Sequence, residues 1–210
     1  MKVAITGSSG LVGSALKDKL RSQGNEVVTF VRSNASNESG KFLWNPEAGT
    51  IDIAGFAGVQ AVINLAGESI AAKRWTAEQK IKIRESRVKG TTLLAETIAK
   101  LDARPEVLVS ASAIGFYGDR GDEVLTENSA PGTGFLADVC KQWENSSAAA
   151  EASGVRVVRA RLGVVLSQDG GALQKMLPIF KLGEMCIRDS PEAPKPKGVR
   201  SDIGHDALPT

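Results

Sequence analysis

Short apolar runs and amphipathic stretches alternate along most of the chain, with polar or glycine-containing breaks between them. Residues 3–6 (V-A-I-T) form an apolar, β-branched run of the kind that suits a parallel strand buried on both faces. Behind it Val12, Ala15, Leu16 and Leu20 recur at helical spacing up to Gly24, which predicts an amphipathic helix. Residues 26–31 (E-V-V-T-F-V) read as a second strand and 33–40 as a polar loop. Residues 42–44 (F-L-W) read as a short strand ended by an Asn45-Pro46 turn. Residues 59–65 (V-Q-A-V-I-N-L) predict a further buried strand. A long helix follows over 76–100: Thr76 and Gln79 have capping-box spacing, and Leu93, Leu94, Thr97, Ile98 and Leu101 share one face. A strand at 107–110, a helix over 135–152 closed by Gly154, and a strand at 155–162 complete the pattern.

Strands that alternate with helices imply a parallel sheet covered on both faces, a Rossmann-like doubly wound α/β fold with right-handed connections. At 210 residues and 42% hydrophobic content the chain can bury one sizeable core, so a single domain over 1–183 is expected. Residues 184–210 differ in kind. They hold four of the eight prolines (Pro191, Pro194, Pro196, Pro209), lack periodicity and read as an irregular tail.

The first strand runs into glycines at 7, 10 and 13, and this spacing between a strand and a helix is what a phosphate cradle needs. Gly7 suits the tight turn out of the strand, Gly10 a close approach of backbone to a pyrophosphate, and Gly13 the packing of helix on strand. Ser9, Leu11 and Val12 complete the turn. Its helix would aim unpaired N–H groups and the positive end of its dipole at the phosphates. The candidate ligand is a dinucleotide, and the end of the second strand bears on which one. An NAD site wants Asp or Glu there for the ribose 2′-hydroxyl, but the chain has Val31-Arg32-Ser33. Arg32 could meet a 2′-phosphate with a forked, charge-assisted pair, which points to NADP and leaves NAD open; the plainer reading is a solvated surface arginine. Leu65, Ala66 and Gly67 end a central strand at its carboxyl edge, where ligands of open sheets bind.

Composition narrows the field. Twenty-six Lys and Arg nearly balance 24 Asp and Glu with no long run of one sign, which argues against nucleic-acid or anionic-membrane partners. No apolar stretch approaches a membrane span of about 18 residues, and the opening strand leaves no room for a secretory leader. Two cysteines, Cys140 and Cys186, give no disulfide framework; Cys140 reads as a small buried thiol on a helix, and a reducing cytoplasm fits. One histidine (His205) and one tyrosine (Tyr117) argue against a Ser-His-Asp hydrolase and a histidine-rich metal site.

Several further motifs occur in order: N-L-A-G-E at 64–68, R-W-T-A-E-Q-K at 74–80, S-R-V-K-G-T-T-L-L at 86–94, S-A-S-A-I-G-F-Y-G at 110–118, F-L-A-D-V-C-K-Q-W-E at 135–144 and R-L-G-V-V-L at 161–166. With the glycine fingerprint they give a resemblance, over residues 1 to about 183, to the extended short-chain dehydrogenase/reductases. Within these the chain resembles the NAD(P)-dependent epimerase/dehydratase-like proteins often labelled sugar-nucleotide epimerases. The resemblance implies Ser112 at the superfamily's catalytic serine and Lys141 at its retained lysine, which would bind the nicotinamide ribose. It also implies Tyr117 in a loop near the nicotinamide, Arg87 as a further cofactor contact, and a turn at 65–67 that borders the adenosine ribose. Each has a plainer reading: Ser112 as a turn serine just after a strand end, Tyr117 as packing, Lys141 as an exposed helical lysine, Arg87 as solvent-facing. Glu68 is either an acid/base beside the cofactor or a satisfied loop carboxylate, and Trp75 and Trp143 read as packing anchors. Members often dimerise through a helix pair, so a homodimer is open, although no residue here identifies that face.

Two departures from the family pattern stand out. The superfamily's Tyr-x-x-x-Lys pair is absent: Gly121 lies four residues after Tyr117, and Ala137 four before Lys141. Members of this kind also continue well past Gly183 into a substrate-binding C-terminal part. Here residues 185–190 (M-C-I-R-D-S) look like translated sequencing-adapter read-through, so a fragment is expected, with a divergent tail as the alternative. Two function classes follow. One is an NADP-binding epimerase or reductase acting on a hydroxyl or keto carbon of a small-molecule substrate, a nucleotide sugar on the family label alone. The other is a non-catalytic dinucleotide-binding sensor or partner-binding module.

Overall fold

The computed structural model describes residues 1–32, 39–71 and 73–181. Most of the loop expected over 33–40, Cys186, His205 and the tail at 184–210 lie outside the described residues. The strand runs of the sequence become β1 (Lys2–Thr6), β2 (Glu26–Val31), β3 (Lys41–Asn45), β5 (Ala61–Asn64), β6 (Val107–Ala113) and β7 (Arg156–Leu162). A two-residue β4 (Thr50–Ile51) folds back on β3 through a turn in which Asn45 Oδ1 accepts from the amides of Glu47 and Ala48. The order is β4-β3-β2-β1-β5-β6-β7, parallel except for β4. The chain steps outward from β1 to β2 and β3, then crosses back to the other side of β1 at β5. The crevice beyond the carboxyl ends of β1 and β5 is therefore the switch point at which open α/β sheets bind ligands.

Strand alternation assigns the two faces. Val3 and Ile5 join Val27 and Ala61 under Leu20 of α1 (Leu11–Ser22), while Ala4 joins Val28, Phe30, Val62 and Leu108 on the opposite side. That second core packs against Leu94, Ala95 and Ile98 of α2 (Ala77–Lys100) and Ala150 of α4 (Ala148–Ala152). This is the doubly wound arrangement that the alternation of strands and helices implies. Among the described residues no helix is long and apolar enough to cross a membrane.

Some boundaries differ from the expectation, each for a local reason. The helix expected over 135–152 breaks into α3 (Phe135–Asn145) and α4, because Ser146 and Ser147 turn their hydroxyls back onto the carbonyls of Gln142 and Glu144 at 2.7 Å each. Strand β6 runs three residues past Ser110, because β7 pairs with it along its whole length, Ser112 opposite Arg161 and Ala113 opposite Leu162. Strand β5 is shorter than the apolar run 59–65. Thr76 caps α2 by accepting from the Gln79 amide at 3.2 Å, but the Gln79 side chain donates to Glu68 instead of completing a capping box.

The described residues divide into two compact units, Met1–Val164 and a second that begins at Val165. In the second, β8 (Leu166–Ser167) turns back on Gly170 and Gly171 and leads into α5 (Gly171–Lys181), with Pro178 inside the helix. Leu173, Met176, Leu177 and Phe180 carry the helical period there, and the proline conceals it in the sequence.

A polar pin joins the central strands to two helices. Thr6 Oγ1 donates to Asn64 Oδ1 at 2.7 Å, and Asn64 Nδ2 donates to Thr91 Oγ1 at 2.8 Å and Ser110 Oγ at 3.4 Å. Trp143 Nε1 donates to the same Thr91 hydroxyl at 3.0 Å, which makes Trp143 the packing anchor expected of it. Asn64→Ala leaves Thr6 and Thr91 short of partners in a dry interior and is expected to cost about 2–4 kcal/mol in urea unfolding.

Candidate functional site

The glycines at the end of β1 do different work. Gly7 has φ +69°, and a β-carbon on it would lie 2.6 Å from the Leu65 carbonyl carbon. A β-carbon on Gly13 would lie 2.2 Å from the Gly7 oxygen. Both positions are closed to any side chain by the chain itself. Gly10 is not: its φ is −77°, and an added β-carbon would meet Gly7 O at an ordinary 3.4 Å. The bare backbone at Gly10 therefore opens onto space that the described residues do not fill.

That space is a cleft of about 640 Å³ at the switch point. Gly7, Ser9 and Gly10 line it from the β1 turn, Arg32 from the end of β2, Trp44 and Glu47 from the end of β3, and Leu65, Ala66, Gly67 and Glu68 from the end of β5. Gly10 caps α1 without a side-chain bond, and no acidic residue stands in the first turn. The amides of Leu11, Val12 and Gly13 thus begin the helix as orphan donors in a positive field. Arg32 is exposed at the cleft, while Ser33 lies outside the described residues.

The three catalytic candidates are placed around a second, charged centre. Ser112 does not follow the strand but is the penultimate residue of β6, buried, and its hydroxyl donates to Glu144 Oε1 at 2.6 Å. Glu144 is gripped on both oxygens by Arg161, with Nε to Oε1 at 2.8 Å and Nη2 to Oε2 at 2.9 Å. Arg161 also donates to Tyr117 Oη at 2.8 Å and lies 3.6 Å from the Phe116 ring centre. Lys141 is half-buried at a neighbouring cavity of about 440 Å³ that Glu144 and Arg161 also line, with its ammonium 2.7 Å from Asp138. Ala137, where the absent tyrosine would stand, is 1% exposed, so the interior of α3 packing has taken that place.

Arg87 is only partly turned to solvent. Its guanidinium is half-buried, donates through Nη1 to the Ile83 carbonyl at 2.9 Å, and stacks 5.0 Å from the Trp143 ring centre. Glu68 is held at the cleft by Ser86 through its amide and by Gln79 through its carboxylate. Trp75 is partly exposed, edge-on to Phe135, with its indole N–H on the Ile70 carbonyl. The buried Cys140 thiol is pushed up in pKa by burial. Among the described residues no cluster of His, Cys, Asp and Glu is placed to hold a metal ion. The Glu144–Arg161 pair is hidden in the sequence, although Glu144 closes the motif at 135–144 and Arg161 opens the one at 161–166, because 17 positions and a strand crossing separate them.

Such a doubly wound α/β protein, with a glycine-built cleft at its switch point, belongs to a large structural class. Within it, residues 3–181 match the model of the NAD dependent epimerase/dehydratase family, and the chain belongs to that family. It is 46% identical over 181 residues to the epimerase family protein Mb2239 of Mycobacterium bovis, covering 86% of this chain and 59% of that one. A nucleoside-diphosphate sugar epimerase from Corynebacterium glutamicum is 43% identical with a TM-score of 0.76, over 86% of this chain and 38% of that one. Human epimerase family protein SDR39U1 (isoform 2), solved with NADPH, is 30% identical with a TM-score of 0.76, over 88% and 61%. The chain spans less than two thirds of the length of each of these relatives.

Burial pushes the Glu144 carboxyl up, but hydrogen bonds from Arg161 and Ser112 and the charges of Arg161 and Arg159 outweigh it and hold its pKa below the ordinary value. A depressed carboxylate adds stability that is complete above the unfolded pKa and is lost as pH falls through the folded one. The protein should therefore lose stability on acidification below about pH 4.3. Glu144→Gln should lose less over that range, having lost about 2–4 kcal/mol at neutral pH by leaving Arg161 without its charge partner. Thermal melts from pH 7 to pH 3 read both effects.

Proposed function

We propose that this chain is the cofactor-holding part of an NADP(H)-dependent enzyme of the epimerase and reductase kind, acting on a hydroxyl or keto carbon of a small molecule. The observation that carries this reading is the cleft at Gly10, where the chain omits a side chain that its own packing would allow. A β-carbon there would intrude on any diphosphate laid against the α1 amides. The Leu65–Gly67 turn offers small, backbone-rich surface to the rest of a dinucleotide, and Arg32 offers a guanidinium to a 2′-phosphate. A nicotinamide dinucleotide, when bound, supplies or accepts the hydride, while the protein contributes orientation and electrostatics. The NADPH found with the human relative supports NADP over NAD, and the nucleoside-diphosphate sugar epimerase among the solved relatives supports a nucleotide-linked sugar as substrate.

Ser112 is the candidate that would touch the reacting oxygen, with Tyr117 and Lys141 nearby in the chain's charged centre. Its only proton is committed to Glu144, so towards a substrate Ser112 would accept a hydrogen bond from a hydroxyl. The occupied hydroxyl of Ser112, the Lys141–Asp138 pair and the buried Ala137 also favour a second reading, a dinucleotide-binding module without turnover.

Arg32→Ala should weaken NADPH binding by about tenfold or more, the loss expected for a charge-assisted hydrogen bond, while leaving NADH nearly unchanged. Fluorescence titration of both reduced cofactors tests this, and equal losses would reject the phosphate assignment. Sustained absence of NADPH turnover by a full-length relative across nucleoside-diphosphate sugars would favour the binding module.

A further inference from the structure

The chain has three tryptophans, and two of them are buried: Trp44 is 4% exposed and Trp143 6%. Trp75 is 40% exposed. An indole is among the largest apolar groups a fold can bury, so one that is held still and left partly in water calls for an explanation. Trp75 is held still. Its N–H, the only polar group of the side chain, donates to the Ile70 carbonyl at 2.7 Å, and its ring meets Phe135 edge-on with 5.6 Å between centres. What it presents to solvent is therefore apolar ring surface in one orientation, with the exposed Ile70 beside it.

The charge around this ring is mostly of one sign. Residues 73–84 carry five cations (Lys73, Arg74, Lys80, Lys82 and Arg84) and one carboxylate, Glu78. Lys73, Arg74 and Lys80 are exposed, and none of the three is held in an ion pair among the described residues. Lys80 places its ammonium 5.5 Å from the Phe135 ring centre. Neither Trp75 nor Phe135 lines the cleft at Gly10, so this surface is separate from the place given to the dinucleotide. It is nevertheless tied to both centres of the site. Gln79, in the first turn of α2, donates to the cleft residue Glu68 at 3.4 Å. Leu136, next to Phe135, packs on Gly115, three residues beyond Ser112, where an added β-carbon would lie 3.5 Å from Leu136 Cβ.

We propose that Trp75 and Phe135, with Arg74 and Lys80, form a base-stacking subsite for the nucleoside diphosphate of the substrate. The nucleobase lies on the exposed face of Trp75, and its diphosphate meets the two cations. This rests on the reading of the substrate as nucleotide-linked and adds where the nucleotide is held. Charge complementarity selects the occupant. A fixed aromatic face suits any flat ring, but a ring flanked by unpaired cations suits one that carries negative charge, and a nucleotide is such a ligand. An apolar partner surface would leave Arg74 and Lys80 to be desolvated without a counter-ion, which costs stability.

The test titrates UDP, GDP and the bare nucleosides uridine and guanosine into the chain, with and without saturating NADP, by calorimetry and tryptophan fluorescence. The parent should bind both diphosphates whether or not NADP is present, with quenching that disappears in Trp75→Phe. Trp75→Ala should weaken both by about tenfold or more, the loss expected for one stacked base, and Trp75→Phe should retain part of the affinity. Arg74→Gln combined with Lys80→Gln should weaken the diphosphates, leave the nucleosides unchanged and flatten the salt dependence of binding. These charge variants and Trp75→Phe keep the test alive if Trp75→Ala does not fold, which melting curves show. The proposal is overturned by a parent that binds neither diphosphate, by affinities that Trp75→Ala leaves unchanged, or by NADP displacing the diphosphates. Trp75-dependent self-association in sedimentation would overturn it too, giving the surface to a second copy of the chain. Diphosphate binding that depends on Trp75 in a chain that fails to bind NADP would sink the cofactor reading and leave this subsite standing.

Discussion

Three chain segments meet at the end of β1 in a contact that only glycine permits. Gly7 leaves the strand with a left-handed backbone and presses against the Leu65–Ala66 peptide, while Gly13 presses the first turn of α1 onto the Gly7 carbonyl. No side chain fits at either point, so backbone meets backbone, and the turn after β1, the helix and the turn after β5 are locked to one another. The cleft inherits its shape from that lock. Gly10 stands at its mouth free of the same demand, so its bare backbone faces the cleft and not another packed segment.

A second centre is built on the opposite principle, charge instead of close approach. Glu144 and Arg161 form a two-pronged pair with little exposure, and Ser112 and Tyr117 are hydrogen-bonded to its two ends. A pair of this kind repays its desolvation only when the geometry is good and the remaining lone pairs are used. Here the Ser112 hydroxyl and the Glu144 carboxylate complete one another, and the Phe116 ring covers the guanidinium. Arg87, by contrast, has no carboxylate partner among the described residues and rests on the Ile83 carbonyl and the Trp143 ring.

Much of the frame is legible in the order of the residues. The strand runs at 3–6, 26–31 and 107–110 need only their β-branched, apolar composition, and α2 only its 3.6-residue period and Thr76. The glycine spacing announces the cleft, and Ala137 announces the missing phenol. The departures are local contests that composition does not settle. Ser146 and Ser147 look like ordinary helix residues until their hydroxyls turn back on the backbone. Ser112 looks like a turn residue because the run 107–110 ends its apolar pattern, and the strand continues only because β7 supplies a partner.

Local pattern, then, carries the element types, their order and the family, because each depends on neighbours within a few residues and on a repeat of two or 3.6 positions. What tertiary structure alone decides is which polar groups end up facing one another. Glu144 and Arg161 lie on a helix and a strand that only sheet pairing brings side by side, and Arg87 is partly covered only when Trp143 and Gly67 close around it. Charge pairing and desolvation depend on distances through space, and the sequence orders residues along a line.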